Sequence, residues 1–349
     1  MPNFTFKKDD VQVFVVYSNN AYNIITSEIS FGQTFQESSF EVKTIQSQGS
    51  FEGSVINKAN AAEFSLNVPL LEEATNTVLF DRLVDAAAFD LYISSQHDVW
   101  KLEKCVIQDG TFEINQSRPL RLAISGEASK LSKYTPTVSV ALNAVSGKRI
   151  QIQTVGTTDW ASIGAPNSKV GTIFTATSNG TVDGYNGTVR AAHLGTLQNA
   201  GVTTTTYIVP RLNLLTIGGT NISSNVISVS AELQNDINWR SYNTVHGALS
   251  ATNAATSQYP ETFHIGIRVL GGSITKYLSD TSQSALTWES NTSLKLKATN
   301  SAGSKGLELD ISNCSFTNRI SSGTIYTEEY NWRMTQNPTA LSSVLKLIT

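Results

Sequence analysis

A general acid–base couple needs an imidazole or carboxyl within reach of a second titratable group. In this chain His97-Asp98 is the one adjacent pair of that kind, in a turn-like SSQHD stretch that reads as a solvated loop. His193, His246 and His264 stand apart from it, from one another and from both cysteines. His264 alternates with the apolar residues of its segment, so it is predicted to point away from the core. The paired carboxylates Asp9-Asp10, Glu72-Glu73 and Glu328-Glu329 are adjacent in sequence, which on a strand sends them to opposite faces. Glu72-Glu73 instead opens a predicted helix, where the helix dipole is reason enough for acidic residues. Cys105 and Cys314 fall at unmatched places and read as two small buried hydrophobes rather than a disulfide or zinc site. Phosphate-cradling glycines, GxSxG, HExxH and CxxC are absent. This reading assigns no catalytic, cofactor-binding or metal-binding residue, and no enzyme is expected. Asn186-Gly187-Thr188 follows from the Asn/Thr-rich composition and is not expected to be glycosylated. Trp239, Tyr242, Trp288, Tyr330 and Trp332 have the chemistry of a sugar platform, but core or subunit-interface packing is their commoner use.

Composition points to covered surface. Of 349 residues only 15% are charged, against roughly 25% in soluble domains. The net charge of −3 is uneven: residues 1–147 carry 11 basic and 17 acidic groups, 148–204 carry 4 and 2, and 205–349 carry 10 and 9. With no basic stripe, a reader of nucleic acid held by phosphate contacts is not expected. The N-terminus has no apolar signal region and no stretch approaches 18 apolar residues, so the expectation is synthesis in the cytosol without standard export and no membrane span.

The elements that must position any site are mostly strands. Period-two alternation marks 64–70, 120–124, 150–152, 226–233, 263–269, 294–296 and 307–311. Two helices are predicted, over 72–87 and 273–285, each directly after one of those strands. The last third reads as a second copy of the first. Phe64, Leu66, Val68 and Leu70 match Phe263, Ile265, Ile267 and Val269 at an offset of 199; Gly49 and Phe51 match Gly247 and Leu249 at 198. Ile25 matches Ile222 at 197, and Ile107 and Phe112 match Ile311 and Phe316 at 204. Polar loops at 52–62 and 251–261 occupy corresponding places and are candidates for interaction. The expectation is mainly β: residues 1–147 and 205–349 as two tandem β-sandwich or barrel domains, each with one α-helix. Between them, 148–204 reads as a small β-rich insertion with Trp160, Ile163, Val170, Ile173 and Phe174 in its core, followed by a linker at 195–206.

A strand-rich unit with one helix, given twice in one chain, resembles the tail tube subunit of tailed bacteriophages. The residues that carry the likeness are the arm FTFKKDDVQVFVVY, the long polar loop and the strand-to-helix passage NVPLLEEATNTVLFDRLV. The insertion, from Trp160-Ala-Ser-Ile-Gly-Ala to Phe174-Thr-Ala-Thr, resembles a small module that recurs in phage structural proteins. The tube unit is related to the ring protein of type VI secretion and to the tubes of contractile injection machines. The resemblance implies tail-tube-like domains and a virion protein made in the host cytoplasm. Its partners would be its own copies, in homotrimeric rings of pseudo-sixfold symmetry stacked into a tube. Tape measure, terminator and baseplate proteins would adjoin it, and DNA would pass through the lumen without specific binding. The chain departs from the pattern in length, since many tube subunits are single-domain, and in lacking an immunoglobulin-like module at the C-terminus, so that any decoration is expected from the insertion. Three further readings stay open: tail terminator, baseplate hub ring or head decoration protein. A carbohydrate-binding adhesin is the fourth.

Overall fold

The computed structural model describes residues 11–42, 51–72, 77–95, 98–115, 118–134, 138–140, 149–178, 186–191, 193–198, 206–240, 259–278, 290–338 and 340–348. Over these the chain is mainly β, with antiparallel ladders and one α-helix. The first half lays down β1 (Gln12–Tyr17), β2 (Asn20–Ile24), β3 (Glu28–Gly32), a hairpin of β4 (Phe35–Val42) and β5 (Phe51–Ala59), then β6 (Ala62–Pro69). Helix α1 (Thr77–Asp85), β7 (Phe89–Ser94), β8 (Val99–Asn115), β9 (Arg121–Ala128) and β10 (Lys130–Lys133) complete it. A small module follows, of β11 (Val138–Val140), β12 (Arg149–Thr154), β13 (Ile173–Thr175) and β14 (Thr188–Ala191), and then the short β15 (Thr196–Leu197). The second half holds β16 (Arg211–Ile217), β17 (Thr220–Asn221), β18 (Val226–Arg240), β19 (Thr262–Tyr277), β20 (Thr292–Thr299), β21 (Gly306–Ser321), β22 (Thr327–Met334) and β23 (Leu345–Ile348).

One long strand organises each half. The start of β8 pairs with β7 and β10, and its later part with β9. The change falls at Lys104, whose φ of 54° lies in the left-handed region. The side chain of Asp90 accepts its N–H at 2.9 Å. A bulge there bends the strand, so β8 leaves one sheet and enters another. Strand β21 repeats the pattern: its start pairs with β20 and β23, its end with β22. The remaining ladders also repeat. β1–β2, β1–β7, β6–β9 and β3–β6 have twins in β16–β17, β16–β20, β19–β22 and β18–β19. Even the turns agree: Ser18-Asn19 and Gly218-Gly219 both take positive φ between paired strands, as a two-residue type I′ hairpin requires. Apolar residues of both halves meet in one core, with Val15, Phe64, Leu83, Leu91 and Phe112 beside Leu215, Leu233, Leu296 and Trp332.

Helix α1 is explained by its spacing: Leu79 and Leu83 face the core with Phe80 and Val84 beside them. It begins at Thr77 and has no acidic residue in its first turn; Glu72 lies before it, donating its backbone N–H to Thr206 O at 3.0 Å. The helix predicted over 273–285 is corrected over its first part: residues 273–277 finish β19, paired on both sides with β18 and β22. Two neighbouring ladders outweigh the local 3.6-residue pattern of Ile274, Tyr277 and Leu278. Leu278 follows the strand with its N–H on Tyr326 O, and the rest of that prediction, 279–285, lies outside the described residues. The loop predicted at 52–62 is largely strand β5, which pairs with β4 from Phe35↔Ala59 to Val42↔Phe51; its twin at 251–261 falls mostly outside the described residues.

The register of the repeat also needs correction. Leu70 N–H donates to Leu120 O at 2.9 Å and Leu278 N–H to Tyr326 O at 3.0 Å, so Leu70 corresponds to Leu278, not Val269. Glu63 on β6 then matches Gly271, and Phe112 matches Ile320 rather than Phe316. Residues 263–268 belong to an outer arm where β19 pairs with β18 alone, and Ile267 is 78% exposed. Alternation runs the length of a 16-residue strand, so pattern matching slides along it at no cost.

Candidate assembly interface

Among the described residues, one antiparallel ladder of the two halves has no twin. The end of β8 also pairs with β18, through Asn115↔Ser228, Glu113↔Ser230, Phe112↔Ala231 and Gly110↔Leu233. This joins the inner sheets of the two halves into one, in the order β3-β6-β9-β8-β18-β19-β22-β21. Phe112 and Ala231 are buried at the seam. Beside it, Asn235 donates through Nδ2 to Leu83 O at 3.0 Å and Ile107 O at 2.9 Å. Arg268 donates through Nε to Asn235 Oδ1 at 2.6 Å and through Nη2 to Val84 O at 2.6 Å and Leu83 O at 3.3 Å. The outer arm of the second half therefore caps the last turn of α1 in the first, where free carbonyls and the negative helix end favour a cation. Neither Asn235 nor Arg268 carried a sequence signal, because each is an isolated polar residue in a strand.

The two ends of this joined sheet are open among the described residues. On β3, Glu28, Ser30 and Gly32 are exposed while Ile29 and Phe31 lean on the core. At the other end, Thr317 to Ser321 of β21 are all exposed, with Ile320 at 57%. The free edge of β21 is the one whose counterpart on β8 carries β18. Unpaired strand edges of this length are templates for pairing with another chain.

The solvent face of the joined sheet is acidic. Glu63, Asp109, Glu113, Glu127, Glu232 and Glu329 lie on it with Arg121, Arg319 and Arg333, each alternating with core residues. Partial burial pushes the Asp109 carboxyl up, and Glu232 adds to the shift while a hydrogen bond from Ser125 opposes it. Glu127 is raised by burial and by Glu63.

The residues singled out for chemistry are dispersed. Asp98 pairs with Lys133 in an ion pair, and His97 lies outside the described residues. His193 is buried with its ring 4.3 Å from that of Phe14; His264 is exposed, as alternation predicts, and His246 lies outside the described residues. Glu328 is buried and accepts from Asn318 Nδ2 at 2.7 Å, while Glu329 turns to the other face. Asp9, Asp10 and Glu73 lie outside the described residues. Cys105 and Cys314 are buried, free thiols; burial pushes Cys314 up to about 12 and Cys105 upward as well. Tyr330 and Trp332 are core residues, and Trp239 packs on Phe263 at 5.2 Å. Tyr242 and Trp288 lie outside the described residues. Among the described residues no His, Cys, Asp and Glu group into a metal site.

The inserted module folds around Trp160, with Ile150, Ile152, Ile163, Phe174 and Val189, in the strand order β11-β14-β12-β13. Its Trp160 Nε1 donates to Val155 O at 2.9 Å. Val170, predicted for its core, is 64% exposed. The sheet takes β11 from before residue 148, and within the predicted linker β15 adds in parallel to the edge of β2.

No protein-family model matches the chain, and no curated protein matches it in sequence. Several solved structures are similar to part of it, two of them as follows. One is the sheath/tube terminator of an extracellular contractile injection system, PVC, in its extended state: 14% identity, TM-score 0.30, over 38% of this chain and 99% of that one. The other belongs to the baseplate of the anti-feeding prophage: 14% identity, TM-score 0.29, over 38% of this chain and 96% of that one.

Proposed function

We propose that this chain is a non-enzymatic structural subunit of a phage-like tail, and that it forms the tail tube from trimeric rings. The observation that carries the reading is the seam between β8 and β18. In it the first half accepts the second, edge to edge, while among the described residues the second half leaves the same edge open. If that operation repeats between chains, β3 of one copy pairs with β21 of the next. Counterpart residues set the register. Ser30 and Phe31 stand where Ser230 and Ala231 stand, and Ser321 and Ile320 where Glu113 and Phe112 do. Phe31 then lies opposite Ile320, as Ala231 lies opposite Phe112.

Each half contributes four strands to the joined sheet, so three chains would close a barrel of about 24 strands. That exceeds the roughly 16 to 18 strands at which barrels already leave an aqueous channel. At about 4.8 Å per strand its circumference is at least roughly 115 Å. Closure also removes the open edges. The acidic solvent face would line the channel, and a wall with more carboxylates than arginines repels phosphates instead of holding them. The role is then a conduit for DNA in the virion tail, with tape measure, terminator and baseplate proteins as neighbours. A terminator or baseplate ring would use the same lateral edges and differ in not stacking on copies of itself.

Electron microscopy of the concentrated, purified chain tests this together with Ile320→Lys. Rings or hollow tubes from the wild type, and single chains from the variant, are expected. Rings from both would remove the lateral pairing, and single chains from the wild type at every concentration would remove the subunit reading.

A further inference from the structure

In the first half the strand edge between Leu70 and Leu120 is filled. Ile208, from the segment that leads into β16, donates its N–H to Leu70 O at 3.0 Å and accepts from Leu120 N–H at 2.7 Å. Tyr207 bridges Leu71 and Thr206 O accepts from Glu72 N–H, so the segment is laid in as a short strand. Leu70, Leu120 and Ile208 are all at most 1% exposed. The second half builds the same slot: Leu278 N–H donates to Tyr326 O as Leu70 does to Leu120. There, no described residue takes the place of Ile208. Leu278 is 38% and Tyr326 56% exposed.

We propose that the Leu278–Tyr326 slot receives the N-terminal segment, residues 1–10, of a second copy of this chain. The argument is topological. What fills the first slot is the stretch just before β16, the opening strand of the next unit. The corresponding stretch for the open slot is the one just before β1, the opening strand of the unit that follows in another copy. Ten residues precede Val11, and they carry Phe4 and Phe6 as side chains able to replace Ile208. Phe6 stands six residues before β1, where Ile208 stands three before β16. The extra three residues add reach of roughly 10 Å. The Leu278 carbonyl and Tyr326 N–H supply the strand's two hydrogen bonds, and the exposed leucine and tyrosine supply the apolar contact, as in other strand additions to an open edge.

This deepens the assembly reading and rests on it only for the existence of a second copy. The test mixes two full-length variants, Phe6→Cys and Tyr326→Cys, under mild oxidation. A covalent heterodimer on non-reducing gels is expected, absent from wild-type mixtures because Cys105 and Cys314 are buried. Leu278→Asp introduced into the Tyr326→Cys chain should reduce that product at least tenfold. Two results would overturn the proposal: no heterodimer, whether or not particles form, or a chain carrying both Phe6→Cys and Tyr326→Cys that closes on itself as a fast-migrating monomer. Rings without the cross-link would sink the slot alone. The cross-link without rings would sink the tube reading and leave the slot standing.

Discussion

At the scale of single residues, the groups that matter are those that join the halves. Arg268 reaches from β19 to the last carbonyls of α1 and also holds Asn235 in place. Burial works against its charge, so the contacts must offset a desolvation cost. Arg268→Ala removes them and should lower stability by about 1.5–3 kcal/mol, the range for hydrogen bonds to charged groups. Arg268→Lys keeps the charge without the fork and should restore only part of that, as urea denaturation midpoints would show. Asp109 argues in the opposite direction. Its carboxyl is raised by burial and by Glu232 on the neighbouring strand, so ionisation above its folded pKa weakens the fold. Stability from this group is fully present below the unfolded carboxylate range and is lost as pH rises through the raised value. Asp109→Asn, which keeps an acceptor for Ser125, should therefore stabilise the protein at pH 7 by about 0.2–1 kcal/mol, as expected for relief of like charges on adjacent strands. The gain should disappear on acidification below about pH 4; a gain unchanged across that range would mean that charge is not the cause.

The elements show how far a single sequence can be read. Alternation at 64–70, 120–124, 226–233 and 307–311 correctly marks strands, because a half-buried strand must present apolar side chains to one side only. Helix α1 was equally legible from Leu79 and Leu83. The false helix at 273–277 and the slipped repeat have one origin. Pairing partners on both edges decide whether Ser273 to Tyr277 is extended, and partners are remote in sequence. The segment 52–62 reads as a polar loop because β5 pairs with β4 alone among the described residues, and a strand in a two-stranded ladder does not need an apolar stripe. The assembly interface was illegible for a related reason: an open edge is a property of which strand lies beside which. One repeated element invites a direct test. The turn Ser18-Asn19 takes φ of 47° and 64° where its twin Gly218-Gly219 takes 59° and 82°. A residue with a Cβ carries about 1–2 kcal/mol of strain there. Ser18→Gly should recover up to that amount, while Gly218→Ser should lose at least as much, since its Cβ would lie 2.8 Å from Thr292 Oγ1. Thermal unfolding of the two variants should move in opposite directions, and equal shifts of one sign would break the proposed equivalence of the turns.

For the whole molecule, the repeat separates two kinds of contact. In the proposed ring, lateral contact would use sheet edges, as β8 and β18 do inside the chain. Contact along a stacking axis needs parts beyond the joined sheet, and both halves carry a two-stranded extension at the same topological place. In the first half it is the hairpin of β4 and β5 between β3 and β6; in the second it is the outer part of the β18–β19 hairpin. A lateral edge that closes into a ring consumes itself, whereas an arm that meets the next ring is heterologous and propagates without limit. The two are therefore separable by mutation. Removing β4 and β5 together, from Phe35 to Ala59, leaves no unpaired partner strand, which deletion of 52–62 alone would do by stripping β4 of its ladder. With a short turn joining β3 to β6, that variant should still form rings with the wild-type outline in electron micrographs, but not tubes. If it stacks normally, the arms are decoration and the inserted module around Trp160 becomes the next element to delete. If it fails to form rings, the arm takes part in the lateral seam, and the division between sheet edges for closure and projecting hairpins for growth is wrong.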